Sequence, residues 1–433
     1  MHIDLQYGKT GLPLALPAEW DVTVYRKPAM PLLDDPAEAL RGAFRDPIGG
    51  EPLTRVAAHA RTACILICDV TRPVPNGTLL PPLLRTLLAA GMAAAQITVL
   101  VATGLHRPNE GEELREIVGD DWVMQTVRVE NHFARNDAEH QLLGVTRGGL
   151  PVKLDRRFVE ADLRIVIGLV EPHFMAGYSG GRKLITPGIA HADTITAIHG
   201  PAFLEHPCAT NCRLDGNPLH ESQLETARML GDVYAVNTVL DEARRIAYLS
   251  YGALEESHQA AIEFLTPYAT FPVTDTFPTV ITTGAGYPLD NTYYQTVKGI
   301  VSAHELLTPG GTLFIASACA EGFGSREFAR AQAQLRQLGP EAFLAKIQQQ
   351  PRAEIDEWQT EMLIKALRRG AISLYSNGLK PEEQSLTGVT CIPDLLDAVQ
   401  HHVTATGNHR VAVIPEGPYL IPLADYLHLK TWD

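Results

Sequence analysis

LRIVIGLV, residues 163–170, runs directly into EPHFMAGYSGGRKLITPGIAHADTITAIHG, residues 171–200, and the reading of this stretch decides the rest of the chain. The apolar, β-branched run predicts a buried strand. At its carboxyl end stand His173, a Ser-Gly-Gly turn, Arg182 beside Lys183, a Pro-Gly break, and then His191 and His199. Three imidazoles and a lysine threaded on glycines make poor core and good site material. Glycine lets the backbone take positive φ and approach a ligand closely. A lysine beside another cation loses its proton more readily, and a neutral lysine is a nucleophile. A phosphate loop does not fit, because Arg182 and Leu184 stand where GxxxxGK[ST] needs Gly and Ser/Thr. The plain alternative is a glycine-rich surface loop with a solvated Arg-Lys pair.

Two earlier segments repeat the pattern. ACILIC, residues 63–68, predicts a buried strand ending in DVTRPVPN, followed by a helix from Leu79 to Ala90. ITVLVA, residues 97–102, ends in TGLHRPNE, with a helix through Ile117. Strands alternating with helices imply a mostly parallel sheet covered on both faces. Ligands bind such sheets outside the carboxyl ends of the strands, and those ends carry Asp69, Thr71 and Arg72, then His106, then His173.

Residues 1–28 alternate around Gly8, Gly11 and Pro13 and predict a hairpin, and 35–60 predict helix with breaks at Pro47 and Gly49. Phe271 to Pro278 is expected to be a linker. A second α/β unit opens with TVITT, residues 279–283, and GAGYPLDNTYYQTVKG, whose glycines lack the third member of a dinucleotide fingerprint. Helical spacing puts Lys298 on one face with Tyr294 and Gln295. Strands are expected at 312–316, 371–375 and 411–414, with a polar helical region, 325–369, that contains Trp358. The expected architecture is α/β, with two domains of mostly parallel sheet flanked by helices and an active site in the interdomain cleft. Residues 1–272 with a C-terminal return, 410–433, would bind the cofactor, and 273–409 would form the substrate and closing domain.

The chain of 433 residues suffices for two or three domains, and 45% hydrophobic with 20% charged residues is globular composition. A formal charge of −14 argues against nucleic acid or an anionic membrane as partner. The opening MHIDLQYGK lacks a signal-peptide pattern and no apolar run is long enough to span a membrane, so a cytoplasmic protein is expected. Six cysteines in such a length do not suggest a disulfide framework. Cys208 and Cys212 near His206 could hold a metal, but no second cysteine pair accompanies them.

DVTRPVP, TGLH, EPHFMAGYSGGRKLITPGI, IHG at 198–200 and NTYYQTVKG resemble, in order and spacing, the nickel-pincer lactate racemase family. The resemblance spans nearly the whole chain and is most specific at SGGRK with its flanking histidines. It implies a nickel-pincer nucleotide, a pyridinium mononucleotide with two sulfur-bearing arms that hold nickel through S, C and S. By the same resemblance Lys183 is the covalent attachment site and His199 the protein ligand to nickel. His106 and His173 are the implied general acid/base residues, and Arg72, Tyr294, Gln295 and Lys298 hold substrate. Asp69, Thr71, Gly180 and Gly181 position the cofactor, and Trp358 closes the site. Implied partners are a small 2-hydroxy acid and the proteins that build the cofactor.

The chemistry of these residue types agrees. Sulfur donors with one imidazole in a plane suit Ni(II). An imidazole near its ordinary pKa can take a hydroxyl proton at neutral pH, and Arg72 can grip a carboxylate through two N–H groups. The expected activity is inversion at C2 of a lactate-like acid by proton-coupled hydride transfer. A sugar acid or a dicarboxylic hydroxy acid is an alternative substrate. From other classes, Lys183 could form a Schiff base with a carbonyl compound, or the chain could bind a phosphate ligand without chemistry. His132, His191, Arg107 and Arg182 are candidates for greeting a second carboxylate.

Overall fold

The computed structural model describes residues 1–424, and the chain divides into two compact units. One comprises residues 29–198 and 207–266. Its six-stranded sheet runs in the order Ile246–Ala253, Tyr234–Leu240, Leu163–Leu169, Ala63–Cys68, Ile97–Ala102, Arg128–Asn131. All neighbours are parallel except Ile246–Ala253, which lies antiparallel on Tyr234–Leu240. The three central strands read as continuous apolar runs because both faces are covered. Leu66, Val99 and Ile165 are wholly buried in one cluster with helix residues such as Leu83 and Leu87. Truncating Leu66 or Ile165 to Ala would cost about 2–5 kcal/mol.

The chain leaves Ala63–Cys68 toward one side of the sheet, then returns to lay Leu163–Leu169 on the other. The crevice between those two strands is therefore the switch point of the sheet, where ligands bind in folds of this kind.

The other unit comprises residues 1–28, 199–206 and 267–433, of which those to 424 are described. Its six strands are all parallel, in the order Thr390–Ile392, Ala371–Tyr375, Leu307–Ala316, Phe277–Thr283, Arg410–Val413, Asp21–Val24. The predicted hairpin is present as His2–Leu5 on Leu12–Ala15. Ile3, Leu5 and Leu14 join the core of this unit, with Phe314, Val411 and Val413.

Two expectations about organisation need correction. The strand from residue 410 stays in its own sheet beside Phe277–Thr283, and the chain's first 28 residues belong to this unit too. Val22 and Val24 pair with Val411 and Val413, so the amino-terminal segment completes an edge that the later sequence leaves open. The expected return over 425–433 lies outside the described residues. The expected linker at Phe271 to Pro278 is instead shared between a short strand, Thr270–Pro272, paired parallel with Ile421–Leu423, and the start of Phe277–Thr283. The region 325–369 is three helices, Arg326–Leu338, Pro340–Ile347 and Glu357–Leu367. Gly339 at φ 79° ends the first, and Pro340 starts the second.

Candidate active site

At the switch point the carboxyl ends of two neighbouring strands face each other with opposite charges. Arg72 forms an ion pair with Glu171, and both side chains are largely shielded from solvent. Burial alone would lower the Arg72 pKa, but Glu171 and the nearby Asp69 outweigh it and keep the guanidinium firmly charged. Asp69 is buried, and its Oδ2 lies 2.6 Å from Nδ1 of His106. Its Oδ1 accepts from the Thr71 hydroxyl at 2.5 Å and the Thr71 amide at 3.2 Å. Burial pushes the Asp69 carboxyl up. The bond to His106, with Thr71 and Arg72, more than reverses that and holds it below the usual range. Asp69 is therefore an ionised acceptor, and His106 presents its outer nitrogen from a ring 55% exposed.

His173 is held differently. Pro172–His173 pairs antiparallel with Gly177–Tyr178, a tight hairpin directly after the central strand. The imidazole folds back over the hairpin turn, where Nδ1 accepts from the amides of Met175 at 3.3 Å and Ala176 at 3.2 Å.

The Ser-Gly-Gly turn leads into a short 3-10 turn, Gly181–Leu184. Gly180 at φ 80° has no room for a side chain, since a Cβ would stand 2.9 Å from Val170 Cγ2 and 3.1 Å from the Leu169 carbonyl. Gly181, at φ 46°, packs on the His258 ring in the same way. Arg182 is fully buried beneath the loop. Its Nη2 donates to the carbonyls of Ala176 at 2.9 Å and Tyr178 at 3.3 Å, and Nη1 lies 3.4 Å from His258 Nε2. Burial depresses the guanidinium to about 9. Lys183, next along, is half-buried.

The second set belongs to the other unit. His199 is buried and packs on Trp358 with ring centroids 4.6 Å apart. Trp358 donates from its indole nitrogen to the Tyr294 hydroxyl at 3.1 Å, and Gln359 donates to the Tyr294 carbonyl at 2.6 Å. Burial, and then Asp356, raise the Tyr294 hydroxyl well above its usual pKa, so it stays protonated. Tyr294, Gln295 and Lys298 lie on the helix Tyr293–Ala303, capped by Thr292. The Gln295 amide oxygen is buried without a hydrogen-bond partner.

Comparison with known proteins accords with this arrangement. A family model described as the lactate racemase N-terminal domain matches residues 7–211, and one described as the C-terminal domain matches 274–421. Lactate racemase of Thermoanaerobacterium thermosaccharolyticum is 31% identical over 425 residues, 97% of this chain and 99% of its own. This chain belongs to the lactate racemase family. The enzyme of that name from Lactiplantibacillus plantarum is 31% identical over 383 residues, covering 88% of this chain and 89% of its own. The lactate racemase apoprotein structure from T. thermosaccharolyticum superposes with a TM-score of 0.91 at 30% identity, over 98% of this chain and 100% of that one. As a member of the family the chain is an isomerase, a racemase.

The expected site residues thus fall into two groups. Asp69, Thr71, Arg72, His106 and His173 gather at one switch point. His199, Trp358 and Tyr294 form a chain of direct contacts in the other unit. The candidates for a second carboxylate are engaged elsewhere. Arg107 is clamped by Glu113 at 2.6 and 2.7 Å. His132 and His191 flank His140 in a buried ladder of rings, and Arg182 is sealed under its loop. Two contributors went unassigned in the sequence, Glu171 and His258. Glu171 carried a signal, a carboxylate at the end of a predicted strand, but not the identity of its partner. His258 sits in a helix 75 residues beyond Lys183 and carried none.

Proposed function

We propose that this protein inverts C2 of lactate or a closely related 2-hydroxy acid, using a nickel-pincer nucleotide joined covalently to Lys183. The observation that carries the reading is the Asp69–His106 pair set beside Arg72 at the switch point. It combines a carboxylate-oriented imidazole for a hydroxyl proton with a cation for a carboxylate, the two groups that define a 2-hydroxy acid.

The residues fit the cofactor. Lys183 stands half-buried on a turn fixed from below by Arg182 and cleared of side chains at Gly180. Among the described residues no three His, Cys, Asp or Glu side chains group to hold a metal, and Cys208, Cys212 and His206 form no such group. A metal at His199 would therefore bring its other donors with it, as the pincer does. An imidazole packed on indole is fixed in plane and suits a single soft-metal ligand. When bound, the cofactor takes up the C2 hydrogen with its electron pair and returns it.

The protein's part is to hold and aim. Arg72 holds the carboxylate, Asp69 fixes His106 toward the hydroxyl, His106 and His173 serve as the general acid/base residues, and Lys298 is a substrate-holding residue of the other unit. Tyr294, Gln295 and Trp358 shape the substrate side, and proteins that build the cofactor are needed to charge Lys183. Lactate deuterated at C2 tests this. Product formed in ordinary water should keep most of its deuterium, and a trace of 2-oxo acid should appear in a single turnover. Rapid washout with no 2-oxo acid would overturn the reading in favour of direct proton abstraction at carbon.

A further inference from the structure

Arg72 and Glu171 meet across two neighbouring strand ends, and their pairing uses only part of the guanidinium. Among the described residues Nη1 alone is hydrogen-bonded, donating to Glu171 Oε1. Nε and Nη2 form the other edge of the fork, the one that takes a carboxylate through two parallel N–H groups. Glu171 thus fixes the guanidinium from one side and leaves the bidentate edge for a ligand.

Glu171 is itself held in place. Its amide donates to the Ser179 hydroxyl at 3.1 Å, and its carbonyl accepts from the Ser179 amide at 2.9 Å. With both backbone groups tied, its carboxylate stays at the crevice. The side chain is only 29% exposed, so water and salt screen its charge incompletely.

The charges here do not balance. Asp69 and Glu171 stand as two carboxylates around the one guanidinium of Arg72. Arg107, the neighbour of His106, is occupied by Glu113, which accepts from both of its Nη atoms and is steadied by Asn109 at 2.8 Å. A ligand carboxylate therefore finds one cation at this strand end. A short diacid keeps its two carboxylates only two carbons apart. With the first on Arg72, the second stays in the neighbourhood of Glu171 and meets a fixed like charge.

We infer that Glu171 is a specificity-determining residue: it lets Arg72 seat one carboxylate and repels a second, so that the substrate is a 2-hydroxy monocarboxylate with an uncharged side chain. The inference rests on the proposed function and narrows it to that substrate class. The repulsive element matters as much as the attractive one, since selectivity is a difference between two affinities.

The test compares malate with its C4 amide, two compounds of nearly the same size that differ by one charge. Each is measured as an inhibitor of lactate racemisation by the cofactor-loaded enzyme, so neither need be turned over. The amide should inhibit at a concentration at least about tenfold lower than malate. Glu171→Gln keeps an oxygen acceptor for Arg72 and deletes the charge, and it should reduce that preference to about threefold or less. Glu171→Ser deletes the same charge and takes its place if the glutamine variant does not fold. Because the readout is a ratio within one variant, a general loss from a displaced Arg72 cancels, and a merely structural role for Glu171 would leave the ratio unmoved. Equal potency of the two compounds in the native enzyme, no inhibition by the amide, or an unchanged preference once the charge is gone overturns the inference while lactate inversion still stands. A loaded enzyme that inverts no 2-hydroxy acid overturns the proposed function, and the inference with it.

Discussion

His106, Asp69, Arg72 and Glu171 meet through a hydrogen bond and an ion pair at the carboxyl ends of the central strands of one sheet, whereas His199, Trp358 and Tyr294 in the other unit meet through ring faces and one hydrogen bond. In the first set, Asp69 and Arg72 are kept charged by their neighbours: burial opposes the charges, and the partners overrule it. In the second, burial wins, and the Tyr294 hydroxyl is kept neutral. The ionic set can bind an anion and move a proton. The aromatic set is suited to holding an imidazole in one plane without competing for protons. Under the proposed function these are complementary duties, one toward substrate and one toward metal.

The sharpest way to break that contrast is at the cofactor. Lys183→Ala should abolish the fixed mass adduct and all activity, whereas His199→Ala should keep the adduct and lose nickel. Intact mass and metal analysis read both, and a normal adduct on Lys183→Ala would refute the attachment. Arg72→Ala comes next. It removes the cation that pairs with Glu171 and lies near Asp69, and kcat/KM should fall by about 2–4 kcal/mol in equivalent free energy. A loss under threefold would mean that Arg72 holds no substrate.

Acid and alkali should then separate the units. Burial pushes the Glu361 carboxyl up to about 8, with Glu205 adding to the effect. The folded form thus keeps a proton that the unfolded chain releases near the ordinary carboxylate range. The stability this provides is complete at low pH and declines as pH rises toward 8. Buried His132 behaves oppositely: burial, and then His140, depress it to about 3. The unfolded chain takes up a proton near 6.5 that the folded form refuses, so stability is lost as pH falls from there toward 3. Thermal unfolding across pH should show both limbs. Glu361→Gln should flatten the alkaline limb and leave the acid limb unchanged, and parallel shifts in both would contradict the assignment. The smallest effect belongs to Tyr294→Phe, which deletes the acceptor for the Trp358 indole and should cost about 0.5–1.5 kcal/mol in stability. Any adduct on Lys183 should stay intact.

The ionic set was legible in the sequence because its members stand at ends of strands that announce themselves. Three apolar runs each stop at a reactive residue, and parallel sheets bring such ends together. The Arg72–Glu171 pair was not legible, because it depends on Leu163–Leu169 lying next to Ala63–Cys68, a choice of strand order that no local pattern encodes. The contact of Trp358 with His199 was hidden for the same reason, across 159 residues of chain. The placement of residues 1–28 was missed because a four-residue edge strand, Asp21–Val24, carries little pattern of its own and is recognised only by the strand it pairs with.

Arg182 and Lys183 are adjacent, yet one is sealed beneath the loop and the other is left within reach. Arg182 is gripped by two carbonyls and a ring from a distant helix, so its turn takes shape only when that unit has folded. Under the proposed function, whatever charges Lys183 would meet a finished surface rather than a nascent chain. Loading would then be a late step, separable from synthesis.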